Sequence, residues 1–459
     1  MSQIELQPAY TYQTSRAGLC ALGVKLQIMQ FFAPIEQQVQ IKQKKRGYRP
    51  ADKLKDYFMG LLSGISGLYL TDKVVRADPA VYRSLGCLAC AEQSAIHRTL
   101  QASTTANVSQ LRTACRTLFQ QHSLTCRHDF NRTVLILDLD LQGQRTSRHA
   151  EQATKGYFPG HRNAYGRQQA RVLAAQYDEI VVDQLYPGNT SLSAVINSLI
   201  EAAEQVLSLT PERRSQVLIR IDAGGGGEER LDWLLQRGYQ IHIKLKNTDR
   251  AYHLAQSVQI WRADPTHPHR QVGLVCRPYR YVRPTIQIAA RYPKPKGGYN
   301  YSVIASSLTP EQVIILSGRL PEAAWEAEPI ILAYADVYDD RGGPMEHSFG
   351  EDSQGLTSGK RHRHGFVAQE IRMLLTSLAH NTLIWGRAWL AAGCPDLATL
   401  GILRLIRDVL GIPGQVTFDA DGRLRQVAFN RLDPMATQAV AGFEPLLAPF
   451  GINVILVEP

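Results

Sequence analysis

The chain has 459 residues, 44% hydrophobic and 8% aromatic, with 51 Lys and Arg against 41 Asp and Glu. That length exceeds one ordinary core, so two or three domains are expected, and the hydrophobic share excludes a disordered or collagen-like chain. A formal net charge of +10 favours a polyanionic partner, nucleic acid first. There is no N-terminal signal pattern, and the longest apolar stretch, residues 373–392, carries His380, Asn381 and Arg387, so it reads as a buried helix rather than a membrane span. Seven scattered cysteines fit a reducing cytoplasm better than a disulfide framework, and Cys87-x-x-Cys90 lacks a second pair at zinc spacing.

Residues 15–128 read as helical, with apolar residues three and four apart over 19–32, 51–70, 79–101 and 108–122. Between the first two lies a basic run that includes Lys44, Lys45 and Arg46, either a set of phosphate contacts or a solvated loop. The segment 94–100, followed by Ser103-Thr104-Thr105, resembles the sharp connection of small helical DNA-binding units.

The texture changes at Arg132. Thr133-Val134-Leu135-Ile136-Leu137-Asp138-Leu139-Asp140 reads as a strand whose alternation puts Asp138 and Asp140 on one face. An acid inside so apolar a strand is costly unless paired or metal-bound. Strands are expected at 164–175, 177–185 and 217–221, with a helix over 193–207 between the last two. The strand at 217–221 ends at Asp222, after which Gly224 to Gly227 lack both phosphate-loop spacings and read as a tight backbone turn. The strand at 239–245 alternates, reads as lying close to the sheet edge and carries Lys244, a candidate DNA contact.

Residues 250–330 are β-rich and proline-laden, with Arg, Lys and Tyr interleaved over 277–298. The run 329–335 reads as a further strand. It leads into Tyr338-Asp-Asp-Arg341-Gly-Gly-Pro344-Met-Glu346, where Pro344 suits the first position of a helix and places Glu346 in its first turn. Lys360, Arg361 and Arg363 form the densest basic cluster, and 366–389 is a long helix. A helix at 398–410, a hairpin over 416–429 around Asp421-Gly422 and a strand at 453–457 complete the tail.

Three acids stand out: Asp140 (or Asp138) and Asp222 at strand ends, and Glu346 at a helix start. In an α/β sheet such positions converge at one edge, and carboxylates gathered there call for a hard divalent cation. With Tyr338 and Arg341 ahead of the glutamate, Asp140, Asp222 and Glu346 resemble the triad of DDE transposases from bacterial insertion sequences. A large subgroup of these carries a Tyr-x2-Arg-x3-Glu-x6-Lys signature. Lys155-Gly-Tyr-Phe158, Tyr165-Gly-Arg167, Asp352-Ser-Gln-Gly-Leu356 and Phe366-Val-Ala-Gln-Glu370 before Leu378-Ala-His-Asn381 are also similar to that family. Two features depart from the signature: Arg341 and Glu346 are separated by four residues, and Ser353 occupies the lysine position, with Lys360 or Arg361 as compensating cations. Glu351, Asp352, Asp339 and Asp340 are rivals for the third acid.

The resemblance implies an α/β RNase H-like mixed-sheet catalytic core with a β-rich insertion, preceded by an α-helical N-terminal domain. The expected division is 1–128 (helical, DNA-binding), 129–249 and 331–392 (core), 250–330 (insertion) and 393–459 (α/β tail). It also implies a Mg2+-dependent DNA transposase with two ions held by Asp140, Asp222 and Glu346, Mn2+ substituting. Its partners would be double-stranded DNA, as element ends and target, and a second copy of the chain, in a bacterial cytoplasm beside the nucleoid. Tyr338 and Arg341 would contact DNA. The alternatives are a nuclease of the same fold that cuts without joining, and a catalytically inactive DNA-binding relative.

Overall fold

The computed structural model describes residues 10–44, 47–161, 163–246, 249–319, 327–356, 358 and 364–458. Lys45, Arg46, Lys360, Arg361 and Arg363 lie outside the described residues. The chain divides into two units, one of Met1–Leu124, Thr146–Ala153 and Phe349–Pro459, the other of Thr125–Arg145 and Thr154–Ser348. The first strand is β1 (Tyr10–Thr14). Next come β2 (Leu135–Arg145), β3 (Thr154–Lys155), β4 (Tyr165–Ala174), β5 (Glu179–Pro187), β6 (Val217–Ile221) and β7 (Gln240–Lys244). They are followed by β8 (Arg262–Ala263), β9 (Gln271–Leu274), β10 (Ile286–Pro293) and β11 (Tyr299–Ser306), and then by β12 (Gly414–Phe418), β13 (Leu424–Asn430) and β14 (Asn453–Val457).

In the first unit, helix Phe366–Ala391 is buried along most of its length, as its apolar circumference requires. Its first N–H groups need a partner, and the Glu151 carboxylate accepts from Phe366 N at 2.7 Å. Trp385 on this helix packs edge-on against Phe31 and Phe119, with ring centroids 6.2 and 6.3 Å apart. The N-terminal segment and the C-terminal tail, separate in the sequence reading, share the sheet β1-β12-β13-β14, in which β1 precedes the first helix. The expected Asp421-Gly422 hairpin joins β12 to β13, with Gly422 at φ +75°. The helix expected over 79–101 is broken: Pro79–Ser84 stops before Gly86, at φ +73°, and Gln93–Ala102 starts anew. The helix expected over 398–410 is a succession of short turns: Pro395–Thr399, Ile402–Arg404 and the π-helical Leu405–Leu410.

The second unit is built on one mixed sheet in the order β3-β4-β2-β6-β7-β11-β10-β9-β8, with β5 also paired to β4. Strands β2, β6 and β7 run parallel, β4 pairs antiparallel with β2, and β5 pairs antiparallel with β4. This is the RNase H-like core. The β-rich insertion continues that sheet, because β11 pairs antiparallel with β7 through Lys244↔Ile304 and Ile243↔Ala305. The edge position expected for residues 239–245 is therefore incorrect: β7 lies inside the sheet, and the insertion supplies the edge.

The run read as a strand at 329–335 is instead part of helix Ala327–Asp339. A short apolar run has no periodicity that separates a strand from a buried helix. Here Leu332, Ala333, Tyr334 and Val337 cover Leu218, Val272 and Ile288 of the sheet. The following helix starts at Gly342, so Pro344 is its third residue and Glu346 lies beyond the first turn, where the sequence had placed it. Pro344 is still tolerated, since the first four N–H groups of a helix have no internal partner.

One buried carboxyl of the first unit gives a pH signature. Asp56, 2% exposed, accepts from Ala91 N at 2.8 Å, and burial pushes it up to about 7. Its folded value lies above its unfolded one, so its stabilising contribution is whole below about pH 4 and is lost as the pH rises through about 7. This group makes the protein more stable at about pH 6 than at about pH 8, by on the order of 1 kcal/mol. Urea denaturation at the two pH values should show that difference, and Asp56→Asn should flatten it. An unchanged slope in the variant would assign the effect elsewhere.

Candidate active site

Parallel pairing of β2 with β6 sets Leu139 beside Ile221. The next residue of each segment is an aspartate: Asp140, inside β2, which continues to Arg145, and Asp222, just past the end of β6. Asp140 is about a quarter exposed (26%) and accepts from Leu141 N at 2.7 Å. Burial raises its carboxyl above the ordinary aspartate range, the Arg341 guanidinium opposes that rise, and the charge of Asp222 adds to it. Asp222 accepts from Gly224 N at 2.8 Å. The glycine run fits this turn for steric reasons: a Cβ on Gly226 would lie 2.2 Å from the Lys244 carbonyl oxygen. Gly226 O in turn accepts from Lys246 N at 3.2 Å, tying the exit of β6 to the exit of β7.

Tyr338 and Arg341 close over these two acids. Arg341 is buried; its Nη2 donates to Leu139 O at 2.9 Å and lies 3.2 Å from Asp140 Oδ2. Burial works against the Arg341 cation, but the charges of Asp140, Tyr338, Asp138 and Asp222 outweigh it. The Tyr338 hydroxyl is pushed up to about 12, by burial first; Arg341 opposes the shift, and Asp222 and Asp140 add to it. Lys244 Nζ stands 5.8 Å above the Tyr338 ring. Asp140, Asp222, Tyr338, Arg341 and Lys244 thus form one constellation at the end of the parallel strands.

Asp138 is elsewhere engaged. It is fully buried and takes a two-pronged bond from Arg220, Nε to Oδ1 at 2.7 Å and Nη2 to Oδ2 at 2.8 Å. Arg220 Nη1 also donates to Val337 O at 2.9 Å. The pair begins a row in register across four strands: Asp138 beside Arg220, Arg220 beside His242, His242 beside Ser306. His242 Nε2 lies 3.0 Å from Tyr334 O, which only accepts, so Nε2 carries the proton and Nδ1 accepts from Ser306 Oγ at 3.0 Å. Burial, with the Arg220 charge, pushes His242 down to about 3, keeping it neutral.

A second row runs the other way, Asp140 beside Arg171 and Arg171 beside Asp183. Arg171 and Asp183 are fully buried and paired at 2.9 Å, and Arg171 Nη1 donates to Ser348 Oγ at 2.6 Å, two residues beyond Glu346. The sequence reading passed over Arg171, Asp183, Arg220 and His242. Their signal was a charged or imidazole side chain within an otherwise apolar strand, the same signal that singled out Asp138 and Asp140.

Glu346 is exposed, and no group of three or more acidic, histidine or cysteine side chains able to hold a metal is found among the described residues. The structure therefore brings Asp140 and Asp222 together and leaves Glu346 outside that pair. Of its rivals, Asp352 is buried against His380 Nδ1 at 2.7 Å, Asp339 pairs with Arg270 at 2.5 Å, and Asp340 is exposed. Glu351 lies against Gly401, where a Cβ would be 2.2 Å from its Oε1. Lys44 is exposed in the first unit.

The second unit is an RNase H-like mixed sheet with Asp140 and Asp222 close together beside its central parallel strands. The model of the family "Transposase DDE domain group 1" matches residues 3–423, and the chain belongs to that family. Among solved structures, the cryo-EM structure of a piggyBac transposase synaptic complex with hairpin DNA is similar over 88% of this chain and 82% of that one, at 11% identity and a TM-score of 0.44. A comparison with curated proteins finds no match. Among the described residues, no helix is long and apolar enough to cross a membrane.

The Asp138–Arg220 pair yields a stability prediction that separates it from the acid pair. Arg220→Met leaves a charge without its partner in the core and should cost about 3–5 kcal/mol in urea denaturation. Adding Asp138→Leu should restore most of that loss. A double variant no more stable than Arg220→Met would contradict the assignment of the cost to the stranded carboxylate.

Proposed function

We propose that the protein is a DNA transposase that cleaves the ends of a mobile element and joins them to target DNA by Mg2+-dependent phosphoryl transfer. The observation that carries this reading is the placement of Asp140, within β2, and Asp222, just past β6, next to the last parallel pair Leu139↔Ile221 and close enough for the charge of one to act on the other. Two carboxylates this close, the charge of Asp222 adding to the rise at Asp140, form an oxygen-only donor set suited to a hard divalent cation. Asp140, Asp222 and Glu346 would hold two Mg2+ ions, with Mn2+ as substitute. When bound, such ions activate a water or 3′-hydroxyl and stabilise the leaving oxygen of an in-line displacement.

The chain's own groups prepare the site. Arg341 fixes one Asp140 oxygen from the Leu139 side and keeps the acid pair from being left without a counter-charge. The Tyr338 hydroxyl, pushed up to about 12, keeps its proton at neutral pH and is a hydrogen-bond donor for a phosphate oxygen. Lys244, held over the Tyr338 ring, supplies a cation for the DNA backbone. Double-stranded DNA, a homodimeric active complex and a bacterial insertion-sequence origin with a cytoplasmic setting belong to the same proposal.

A second reading, a catalytically inactive DNA-binding member of the family, is favoured by Glu346 standing outside the acid pair and by Ser353 in the signature lysine's place. Cleavage of a linear duplex carrying the termini of the encoding element separates the two. Asp140→Asn and Asp222→Asn should each lower Mg2+-dependent cleavage by roughly 10³-fold, several kcal/mol, while DNA affinity stays within a factor of about three. Undiminished cleavage in either variant would remove that aspartate from the mechanism, and no cleavage by the unaltered protein would favour the inactive reading. Joining of pre-cleaved ends to a plasmid distinguishes a transposase from a nuclease that cuts without joining.

A further inference from the structure

Arg171, Arg220 and Arg341 are all buried against a carboxylate, and the first two form complete pairs. Arg220 uses Nε and Nη2 on the two oxygens of Asp138 and Nη1 on Val337 O. Arg171 likewise uses Nε and Nη2 on the two oxygens of Asp183 and Nη1 on Ser348 Oγ. Both of these carboxylates are shut off from solvent. Each guanidinium nitrogen and each carboxylate oxygen is engaged, as a buried ion pair requires.

Arg341 is incomplete by the same measure. It is 6% exposed, yet its Nε finds no hydrogen-bond partner among the described residues. Its Nη2 is shared between Leu139 O at 2.9 Å and Asp140 Oδ2 at 3.2 Å. The other Asp140 oxygen takes the Leu141 N–H instead, and part of that side chain stays open to solvent. A buried donor without an acceptor is costly, and a settled ion pair does not leave one. Arg341 is therefore held by the charge of the acids more than by hydrogen bonds, which is how a counter-ion is held.

We propose that Arg341 is the resident counter-cation of the acid pair and gates its loading, so that a divalent ion reaches Asp140 only in competition with the guanidinium. The inference rests on the reading of Asp140 and Asp222 as divalent-cation ligands. Two cations on one carboxylate repel. A divalent ion therefore binds with Arg341 in place at a loss of affinity, or displaces the guanidinium and breaks its bonds to Leu139 O and Asp140. In both cases Arg341 keeps the acid pair weak for metal while the chain is without substrate. A phosphate oxygen pair is the acceptor that suits a displaced guanidinium, because it matches the planar fork that one Asp140 oxygen leaves unfilled.

The test is a titration of the full chain, without DNA, with Mn2+ alone, the free ion being counted by its electron paramagnetic resonance signal. The binding that disappears in Asp222→Asn is the binding at the acid pair. Arg341→Met should tighten that binding by roughly 5- to 150-fold, the range of an ordinary coupling between two sites. Arg341→Lys, which keeps a cation there, should stay closer to the unaltered protein than to Arg341→Met. Thermal melting checks each fold, and Arg341→Gln, uncharged but still a donor for Leu139 O, replaces Arg341→Met if that variant does not fold. Equal or weaker Mn2+ binding in the uncharged variant would overturn the gate and leave the metal reading of Asp140 and Asp222 standing. A rise of the same size in Arg341→Lys would trace the effect to packing and also overturn it. If no Mn2+ binding in either the unaltered protein or the uncharged variant depends on Asp222, the gate and the metal reading fall together.

Discussion

The ion pair between Asp138 and Arg220 ties together the parts on which the second unit depends. A carboxylate and a guanidinium inside a sheet core are tolerated only when each oxygen and N–H finds a partner. Here the partners do structural work in both directions: Arg220 holds Asp138 on β2 and at the same time satisfies the Val337 carbonyl near the end of helix Ala327–Asp339. A helix end leaves its last carbonyls without internal donors, so this bond both caps the helix and locates it. His242 repeats the device one strand over, through Tyr334 O. The helix carrying Tyr338 is thus fixed over the sheet by polar bonds as well as by apolar packing.

That fixation matters because the next residue on the same face of β2 is Asp140. Whatever holds Asp138 and Arg220 in register also holds Asp140 beside Asp222, since parallel pairing of β2 with β6 is continuous through Leu139 and Ile221. Arg341, two residues beyond helix Ala327–Asp339, then reaches the Leu139 carbonyl and Asp140. The acid pair is accordingly held in place by buried bonds from Arg220 and Arg341, the kind of support that fixes a constellation of side chains in one geometry. Arg171, fully buried between Asp183 and Ser348, gives comparable support to the turn of helix that follows Glu346.

Much of this was legible in the residues. The alternation in Leu135-Ile-Leu-Asp138-Leu-Asp140 showed a strand with two acids on one face, and the abrupt end of Val217–Ile221 at Asp222 showed where its neighbour stopped. What alternation alone left open was which acid was paired inward. Arg220 decides that, but its partner is 82 positions away in sequence, across a strand pairing that no local pattern encodes. The strand expected at 329–335 failed for a related reason: a short apolar run is the same for a buried helix and a buried strand, and only the face of the sheet it covers selects between them. The insertion read as a separate β-rich segment, because hydrogen bonding of β11 to β7 is a property of backbone edges and not of side chains. Glu346 was singled out by its helix and its resemblance, and neither shows whether it joins the two aspartates in one three-acid group, which is not found among the described residues.

The central claim is that Asp140 and Asp222 share a divalent cation. Crystals of the full chain bound to duplex DNA and soaked in Mn2+, with data collected at the manganese absorption edge, test it most directly. The account predicts an anomalous peak within about 2.5 Å of an oxygen from each aspartate, lost in the Asp222→Asn protein. Strong manganese peaks elsewhere with none between the two carboxylates would contradict it.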